Sequence, residues 1–106
     1  MSGNHPRPQF IYVLRLVPRL HDDSAWTDLD QVAVSRHFAH LSAAKDAGRL
    51  ILAGRSSEPY DRTFGLVIFE ADGEDAARAF MEADPAIAAG VMTATLHPYS
   101  VALLRG

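Results

Sequence analysis

Two ionisable side chains, His40 and Asp84, fall on the apolar faces of segments that the sequence predicts to be helical. At about 100° per residue, His40 lies within the apolar stripe of a helix predicted from Asp28 to Ala47, and Asp84 lies on the apolar face of a second helix that Pro85 ends. A buried imidazole and a buried carboxylate each need a hydrogen-bond partner, and one Asp–His pair satisfies both. Such a pair predicts acid–base catalysis, in which the imidazole moves protons and the carboxylate orients it. The alternative is a structural hydrogen bond between two helices.

Three further residues are candidates for positioning a substrate: Arg15, Arg55 and Ser56. Arg15 interrupts an otherwise apolar face of the first strand, and a buried guanidinium must be paired. It could bind a substrate carboxylate, or it could pair with an acidic residue of the same chain or of a second copy. Arg55 and Ser56 end the second strand beside Gly54, which allows close approach of another backbone. They could line the pocket of the His–Asp pair, or they could form an ordinary exit from the strand.

Metal, thiol and nucleotide chemistry are poorly supported. His37 and His40 are three positions apart, but a zinc site would need at least one more ligand, and the His-Glu-x-x-His pattern is absent. The chain has no cysteine, which excludes a thiol nucleophile, a thiolate metal site and disulfides. It also has no glycine-rich phosphate loop. We therefore predict no metal site and no cofactor.

Strands and helices alternate in an order that predicts the fold. The predicted strand, helix, strand, strand, helix and strand cover Gln9 to Val17, Asp28 to Ala47, Arg49 to Ser56, Phe64 to Ala71, Glu74 to Ala83, and Val91 to Leu104. Thr27 and Asp30 predict a capping box at the start of the first helix, and Gly48 predicts its end. Asp72 is the expected N-cap of the second helix, and residues 86–90 are expected to be a connector. The order predicts an α+β, ferredoxin-like β-α-β-β-α-β domain over residues 9–106, with a four-stranded antiparallel sheet, two helices on one face and a flexible lead-in at residues 1–8.

Both faces of the predicted sheet are apolar. In the first strand Phe10 and Tyr12 point to one side while Ile11 and Val13 point to the other. A sheet with one solvated face should alternate apolar and polar side chains, and two helices cover one face only. Because a large exposed apolar patch is unusual on a monomer, we predict a two-fold homodimer that packs sheet against sheet. The alternative is that apolar residues merely raise strand propensity.

The composition argues against several classes of partner. The 106 residues include 13 acidic and 10 basic side chains, for a net charge of −3, whereas nucleic-acid binding needs a basic surface. No apolar run approaches the roughly 20 residues that cross a bilayer, and the N-terminus lacks the apolar segment of a signal peptide. We therefore predict a cytoplasmic protein whose partners are a small-molecule ligand and a second copy of itself, and not nucleic acid or membrane.

The stretch from Arg36 to Gly54 and the later Asp84-Pro85 pair resemble the YCII-related domain family. The matching positions are Arg36, His40, Leu41, Gly48, Leu50, Gly54, Asp84 and Pro85. The resemblance extends over the chain except for the lead-in. It implies a ferredoxin-like fold that dimerises as an α/β barrel, with His40 and Asp84 as a catalytic dyad. Characterised members of the family include a dehydrochlorinase that acts on a chlorinated hydroxyquinol.

The residues and the resemblance together predict a small enzyme that moves protons without a cofactor. It would be an isomerase, or a lyase of the dehydrochlorinase type, acting on a small cyclic or carboxylated substrate. His40 would be the general acid or base, Asp84 would orient it, and the arginine and serine candidates would position the substrate. The alternative is a non-catalytic ligand-binding or regulatory dimer that uses the same pocket.

Overall fold

The chain forms a four-stranded sheet with helices packed on one of its faces. A computed structural model describes residues 7–106, so residues 1–6, which make up most of the predicted lead-in, lie outside the described part. The elements are β1 (Gln9–Leu16), α1 (Asp28–Asp46), β2 (Leu50–Arg55), β3 (Gly65–Glu70), α2 (Glu74–Glu82), α3 (Pro85–Ala88) and β4 (Met92–Tyr99). Two short 3-10 turns, Pro18–His21 and Asp23–Ala25, connect β1 to α1. Among residues 7–106, no helix has the length and apolar character needed to cross a membrane.

The strand order confirms the predicted α+β, ferredoxin-like architecture. All strand pairs are antiparallel, and the order across the sheet is β2-β3-β1-β4. Strands β1 and β2, which precede and follow α1 in the chain, are therefore separated in the sheet by β3. This is the interleaved arrangement of the split βαβ plan. In the middle of the sheet, Tyr12 of β1 lies opposite Val67 of β3 and Leu96 of β4.

Helix α1 begins and ends at the residues predicted to cap it. The Thr27 hydroxyl accepts a hydrogen bond from the Asp30 backbone N–H at 3.2 Å, and the Asp30 carboxylate accepts one from the Thr27 backbone N–H at 2.9 Å. This capping box satisfies two N–H groups that have no partner within the helix. Arg19 donates to the same carboxylate at 2.9 and 3.0 Å, which ties the first 3-10 turn to the helix start. Just past the end, Gly48 has a φ of +76°, a conformation that favours glycine.

The start of α2 differs from the prediction. Gly73 is its N-cap residue and makes no side-chain hydrogen bond. Asp72, the predicted cap, instead accepts hydrogen bonds from the guanidinium of Arg7. The first backbone N–H groups of an exposed helix can donate to water, so α2 does not need a side chain to cap them.

The end of the chain differs as well. The predicted connector contains the short helix α3, for which Asp84 is the N-cap residue and Pro85 the first helical residue. Strand β4 ends at Tyr99, not at Leu104. The reason is pairing: β4 is an edge strand whose partner β1 begins at Gln9, opposite Tyr99. Within residues 7–106, no neighbouring strand continues this ladder beyond Tyr99.

Alternation along the two central strands separates the two faces of the sheet. The face toward the helices carries Phe10, Tyr12 and Leu14 of β1 with Val67 and Phe69 of β3, all of them buried in one core cluster. The same cluster takes one side chain from α1, Leu41, and two from α2, Ala77 and Met81. The core therefore lies between one face of the sheet and the helices α1 and α2 that pack on it.

The opposite face of the sheet is apolar, as predicted, but it is less exposed than alternation alone suggests. It carries Ile11, Val13, Leu66, Ile68 and Leu52. Ile11 and Ile68 are already buried within the single chain, Val13 and Leu66 are half-buried, and Leu52 is 41% exposed. The homodimer through this face stays a prediction.

Candidate active site

A fully buried carboxylate, that of Asp84, lies at the turn between α2 and α3. Its Oδ1 accepts a hydrogen bond from the Ala86 backbone N–H at 3.0 Å, so the carboxylate caps α3. Pro85 has no N–H that would need a partner at this position. The Asp84-Pro85 sequence therefore holds the carboxylate at a defined place on the helix start.

His37 of α1 is the imidazole that reaches this carboxylate. Its Nδ1 lies 2.7 Å from Oδ1 and 2.8 Å from Oδ2 of Asp84. Because an ionised carboxylate can only accept hydrogen bonds, Nδ1 is the donor. The other ring nitrogen, Nε2, has no hydrogen-bond partner within residues 7–106 and is not sealed from solvent, and 14% of the side chain is exposed. The neutral ring therefore presents an unprotonated nitrogen to the outside.

Tyr12 of β1 makes a further contact with Asp84, one that was not predicted from the sequence. Its hydroxyl donates to Oδ2 of Asp84 at 2.7 Å, and its ring is buried against Phe69 and Phe80. Burial, and then the negative charge of Asp84, raise the pKa of Tyr12 well above its ordinary value, so the hydroxyl stays a donor. The available signal was a hydroxyl on the buried face of β1, since a buried tyrosine O–H usually finds a partner.

The pKa of Asp84 is lowered although the side chain is buried. Burial by itself raises the pKa of this carboxyl group, but the hydrogen bonds from His37 and Tyr12 outweigh it, with help from the Ala86 N–H. Asp84 is therefore ionised at neutral pH. A fixed negative charge therefore lies beside Nδ1 of His37.

The predicted pairing of His40 with Asp84 is wrong. The carboxylate of Asp84 is bonded to His37 instead, and the His40 ring stacks on Phe80 with ring centres 4.7 Å apart. Both histidines lie on the inner side of α1, but α3 brings Asp84 to the turn of α1 that carries His37. The helical period specifies the face of a helix but not the position along its axis. That position determines that His37, and not His40, contacts Asp84.

Arg15 does not lie near this pair. It projects from the face of the sheet that carries Ile11 and Val13, whereas Tyr12 and Asp84 lie on the helix side. The side chain is exposed, and its guanidinium carbon lies 5.7 Å from the centre of the Phe64 ring. The expectation that the Arg15 guanidinium is buried is therefore corrected for the single chain, in which the side chain lies on the open face of the sheet.

Arg55 and Ser56 line a different depression, one of about 490 Å³ beneath the loop between β2 and β3. The Ser56 hydroxyl accepts a hydrogen bond from the Phe64 backbone N–H at 3.0 Å and donates to the Thr63 hydroxyl at 3.3 Å, so it helps to close the hairpin. Another depression, of about 290 Å³, lies on the outer side of α1. Neither includes His37 or Asp84 in its lining.

Within residues 7–106, no group of three or more histidine, aspartate or glutamate side chains is arranged to hold a metal ion. The His37 nitrogen that faces the carboxylate is already used as a donor, while the solvent-facing one is free to exchange a proton.

The family of YCII-related domains matches residues 14–96, a span that contains both His37 and Asp84. The chain belongs to this family. Tyr12 precedes the matched YCII span, so the buried hydroxyl of the site is contributed from outside it. No curated protein matches the chain.

Solved structures share the YCII fold of this chain. One is 5-chloro-2-hydroxyhydroquinone dehydrochlorinase from Burkholderia phenoliruptrix AC1100, in complex with 2,5-dihydroxybenzoquinone. It is 20% identical with a TM-score of 0.58, and the match covers 87% of this chain and 93% of the dehydrochlorinase chain. At this identity the likeness concerns the fold.

Proposed function

We propose that this YCII-domain protein is a small, cofactor-independent enzyme in which His37 acts as general base and acid and Asp84 orients it. The observation that carries the proposal is the bond of 2.7 Å between His37 Nδ1 and the buried, ionised carboxylate of Asp84. This bond sets the tautomer and the orientation of the ring, and it leaves Nε2 open to the outside. An imidazole held in this way is suited to act as a general base or acid.

The same pair can serve two related reactions. In both, Nε2 takes a proton from a carbon or hydroxyl of the substrate, and the imidazolium is stabilised by Asp84. In an elimination, the leaving group departs as an anion with its bonding electron pair, the substrate gains a double bond, and one molecule of acid is lost overall. In an isomerisation, the imidazolium returns the proton to another atom of the substrate. Neither reaction consumes an oxidant or a reductant.

The proposed substrates are small cyclic or carboxylated compounds. The dehydrochlorinase with the same fold was solved with a dihydroxybenzoquinone, which supports placing 5-chloro-2-hydroxyhydroquinone among the first candidates. Arg55 remains a proposed substrate contact at the β2–β3 hairpin. Ser56 is a less suited one, because its hydroxyl already bonds within that hairpin.

A substrate screen with matched variants tests the proposal. Chlorinated hydroquinols would be assayed by chloride release, and unsaturated lactones by absorbance, with the wild type, His37→Gln, Asp84→Asn and the control His21→Gln. Because general acid–base catalysis contributes about 100-fold or more, we expect His37→Gln to lose at least that factor in turnover. His21 is an exposed histidine of the 3-10 turn, and its replacement should leave turnover unchanged.

The outcomes separate the enzyme from the alternatives. Asp84→Asn removes the ionised partner and should lower turnover as well, with circular dichroism used to check that the overall fold is retained. Turnover that survives His37→Gln would refute the assigned role. Saturable binding of a screened compound without turnover by the wild type would instead favour the ligand-binding module.

We also propose a homodimer through the open face of the sheet. Half-buried Val13 and Leu66 and the 41% exposed Leu52 form the apolar surface that a second copy would cover. Leu66→Glu should therefore shift the protein to a monomer in sedimentation velocity. Phe38, which is 71% exposed on α1, provides the control Phe38→Glu, which should not change the assembly. A wild type that sediments as a monomer would refute the dimer.

A further inference from the structure

A second polar cluster consists of His40 and Arg49, which both contact the ring of Phe80 in α2. His40 of α1 stacks on this ring with centres 4.7 Å apart and planes 27° apart. The guanidinium carbon of Arg49, the residue before β2, lies 5.6 Å from the same ring centre. All three side chains are half-buried, so the cluster reaches the surface at the seam between α1 and α2.

Each of the two nitrogen-bearing side chains carries a buried atom without a partner. His40 Nε2 and Arg49 Nε are sealed from solvent and form no hydrogen bond with residues 7–106. Buried polar atoms of this kind are rare in folded proteins, and each calls for an explanation such as a bound water or ligand. Neither atom belongs to the His37–Asp84 pair, and the proposed proton transfer does not use them.

The two buried nitrogens determine which hydrogen-bonding atoms of His40 and Arg49 face solvent. An N–H sealed away without an acceptor is less favourable than a bare ring nitrogen, so the neutral His40 ring carries its proton on Nδ1. That nitrogen has solvent access, as do the two Nη atoms of Arg49. Both side chains therefore offer donors at the surface beside one aromatic ring.

We propose that His40 and Arg49 form an anion subsite that binds the carboxylate of a planar ligand at the α1–α2 seam. Within residues 7–106 the Arg49 guanidinium has no carboxylate within salt-bridge distance, so its charge is available. Its fork of N–H groups matches a planar carboxylate. A single guanidinium on a chain of net charge −3 suits a monoanion better than a dianionic phosphate.

The subsite extends the proposed function and rests on it for its purpose. His40 follows His37 by three positions, so the two side chains are neighbours on one face of α1. A substrate whose carboxylate is held by His40 and Arg49 could therefore place its ring toward Nε2 of His37. A carboxylated substrate would then have a binding site in this cluster, and His40 would bind the substrate and not transfer the proton.

Benzoate is the probe that tests this subsite without a known substrate. It would be titrated into ¹⁵N-labelled full-length protein while the histidine side-chain signals and backbone amides are followed by NMR, with benzamide and inorganic phosphate as comparison ligands. We expect saturable shifts of the His40 signals with benzoate, and binding about tenfold weaker or worse with both comparison ligands.

Three variants assign the contacts. Arg49→Met keeps the aliphatic stem over Phe80 and should weaken benzoate binding by about tenfold or more. His40→Phe keeps a ring against Phe80, removes both nitrogens, and should weaken binding several-fold. Arg62→Met removes the same charge from an exposed loop position and should change the affinity by less than about twofold.

The results separate this inference from the catalytic proposal. No saturable benzoate binding to the wild type, equal binding of phosphate, or full affinity in Arg49→Met would each overturn the subsite. His37→Gln removes the proton-transfer group but keeps His40 and Arg49, so benzoate should still bind this variant saturably. Loss of turnover in His37→Gln with benzoate binding absent would therefore reject the subsite and keep the enzyme.

Discussion

Replacing Tyr12 by Phe removes one hydroxyl from the proposed active site while keeping the packing of the ring. The phenyl ring can still contact Phe69 and Phe80 as the tyrosine ring does. The loss is one hydrogen bond of 2.7 Å to a buried, ionised carboxylate. Hydrogen bonds to charged groups contribute about 1.5–3 kcal/mol to the free energy of unfolding. Because Asp84 keeps His37 and the Ala86 N–H as donors, we expect the lower end, about 1.5–2 kcal/mol.

Thermal and urea unfolding measure this loss directly. For a domain of this length, 1 kcal/mol corresponds to about 4–8 °C in Tm, so Tyr12→Phe should unfold at least about 6 °C below the wild type. Tyr99 provides the control: it is 44% exposed, and its hydroxyl makes no hydrogen bond within residues 7–106. Tyr99→Phe should stay within about 0.5 kcal/mol of the wild type.

The pH dependence of the difference tests the electrostatic part of the reasoning. The folded pKa of Asp84 is lowered, so the stability that its charge contributes is fully present above the ordinary aspartate pKa of about 3.9 and is lost as the pH falls through the folded value. The gap between wild type and Tyr12→Phe should therefore be largest near neutral pH and shrink below about pH 4. A gap under about 0.5 kcal/mol, or a gap of equal size in acid, would refute the role of Tyr12 as a donor to a charged Asp84.

Two other positions give predictions of the same kind. The pKa of Asp30 is held well below its ordinary value, above all by the hydrogen bonds from Arg19. Asp30→Asn should therefore lower the urea midpoint near neutral pH, and the difference in midpoint from the wild type should become smaller below about pH 4. The control Asp61→Asn, in an exposed loop, should leave the midpoint unchanged. Gly48 has a φ of +76° with open space around it, so Gly48→Ala should cost about 1 kcal/mol from backbone strain alone, as measured by urea unfolding. Gly54→Ala, which also meets open space but at an ordinary φ, is its control, and an equal cost at both positions would contradict the strain argument.

The proposed active site and the proposed anion subsite depend on different features of α1. The first depends on the charged carboxylate that α3 presents to His37. The second depends on the surface-facing donors of His40 and Arg49 beside the Phe80 ring. Because His37 and His40 are neighbours on one helix face, a change in the tilt of α1 would alter both. Variants that keep roughly the size of the side chain are therefore preferable to alanine at both sites.

Local chemistry was enough to predict the elements and their order. A hydroxyl at Thr27 and a carboxylate at Asp30 can satisfy the N–H groups of a helix start only when they stand three residues apart. Gly48 can adopt the left-handed conformation that ends the helix. Strand alternation assigned Phe10 and Tyr12 to one face and Ile11 to the other, and both assignments hold.

Tertiary packing decided which polar groups meet. The helical period places His37 and His40 on one stripe, but about 4.5 Å apart along the axis, and only the position of α3 selects His37 as the partner of Asp84. The strand pattern sends Tyr12 inward and Arg15 outward without saying what lies above either. Contacts between residues far apart in the chain depend on the heights and tilts of packed elements. Periodicity fixes the direction of a side chain, and the packed core fixes what it reaches.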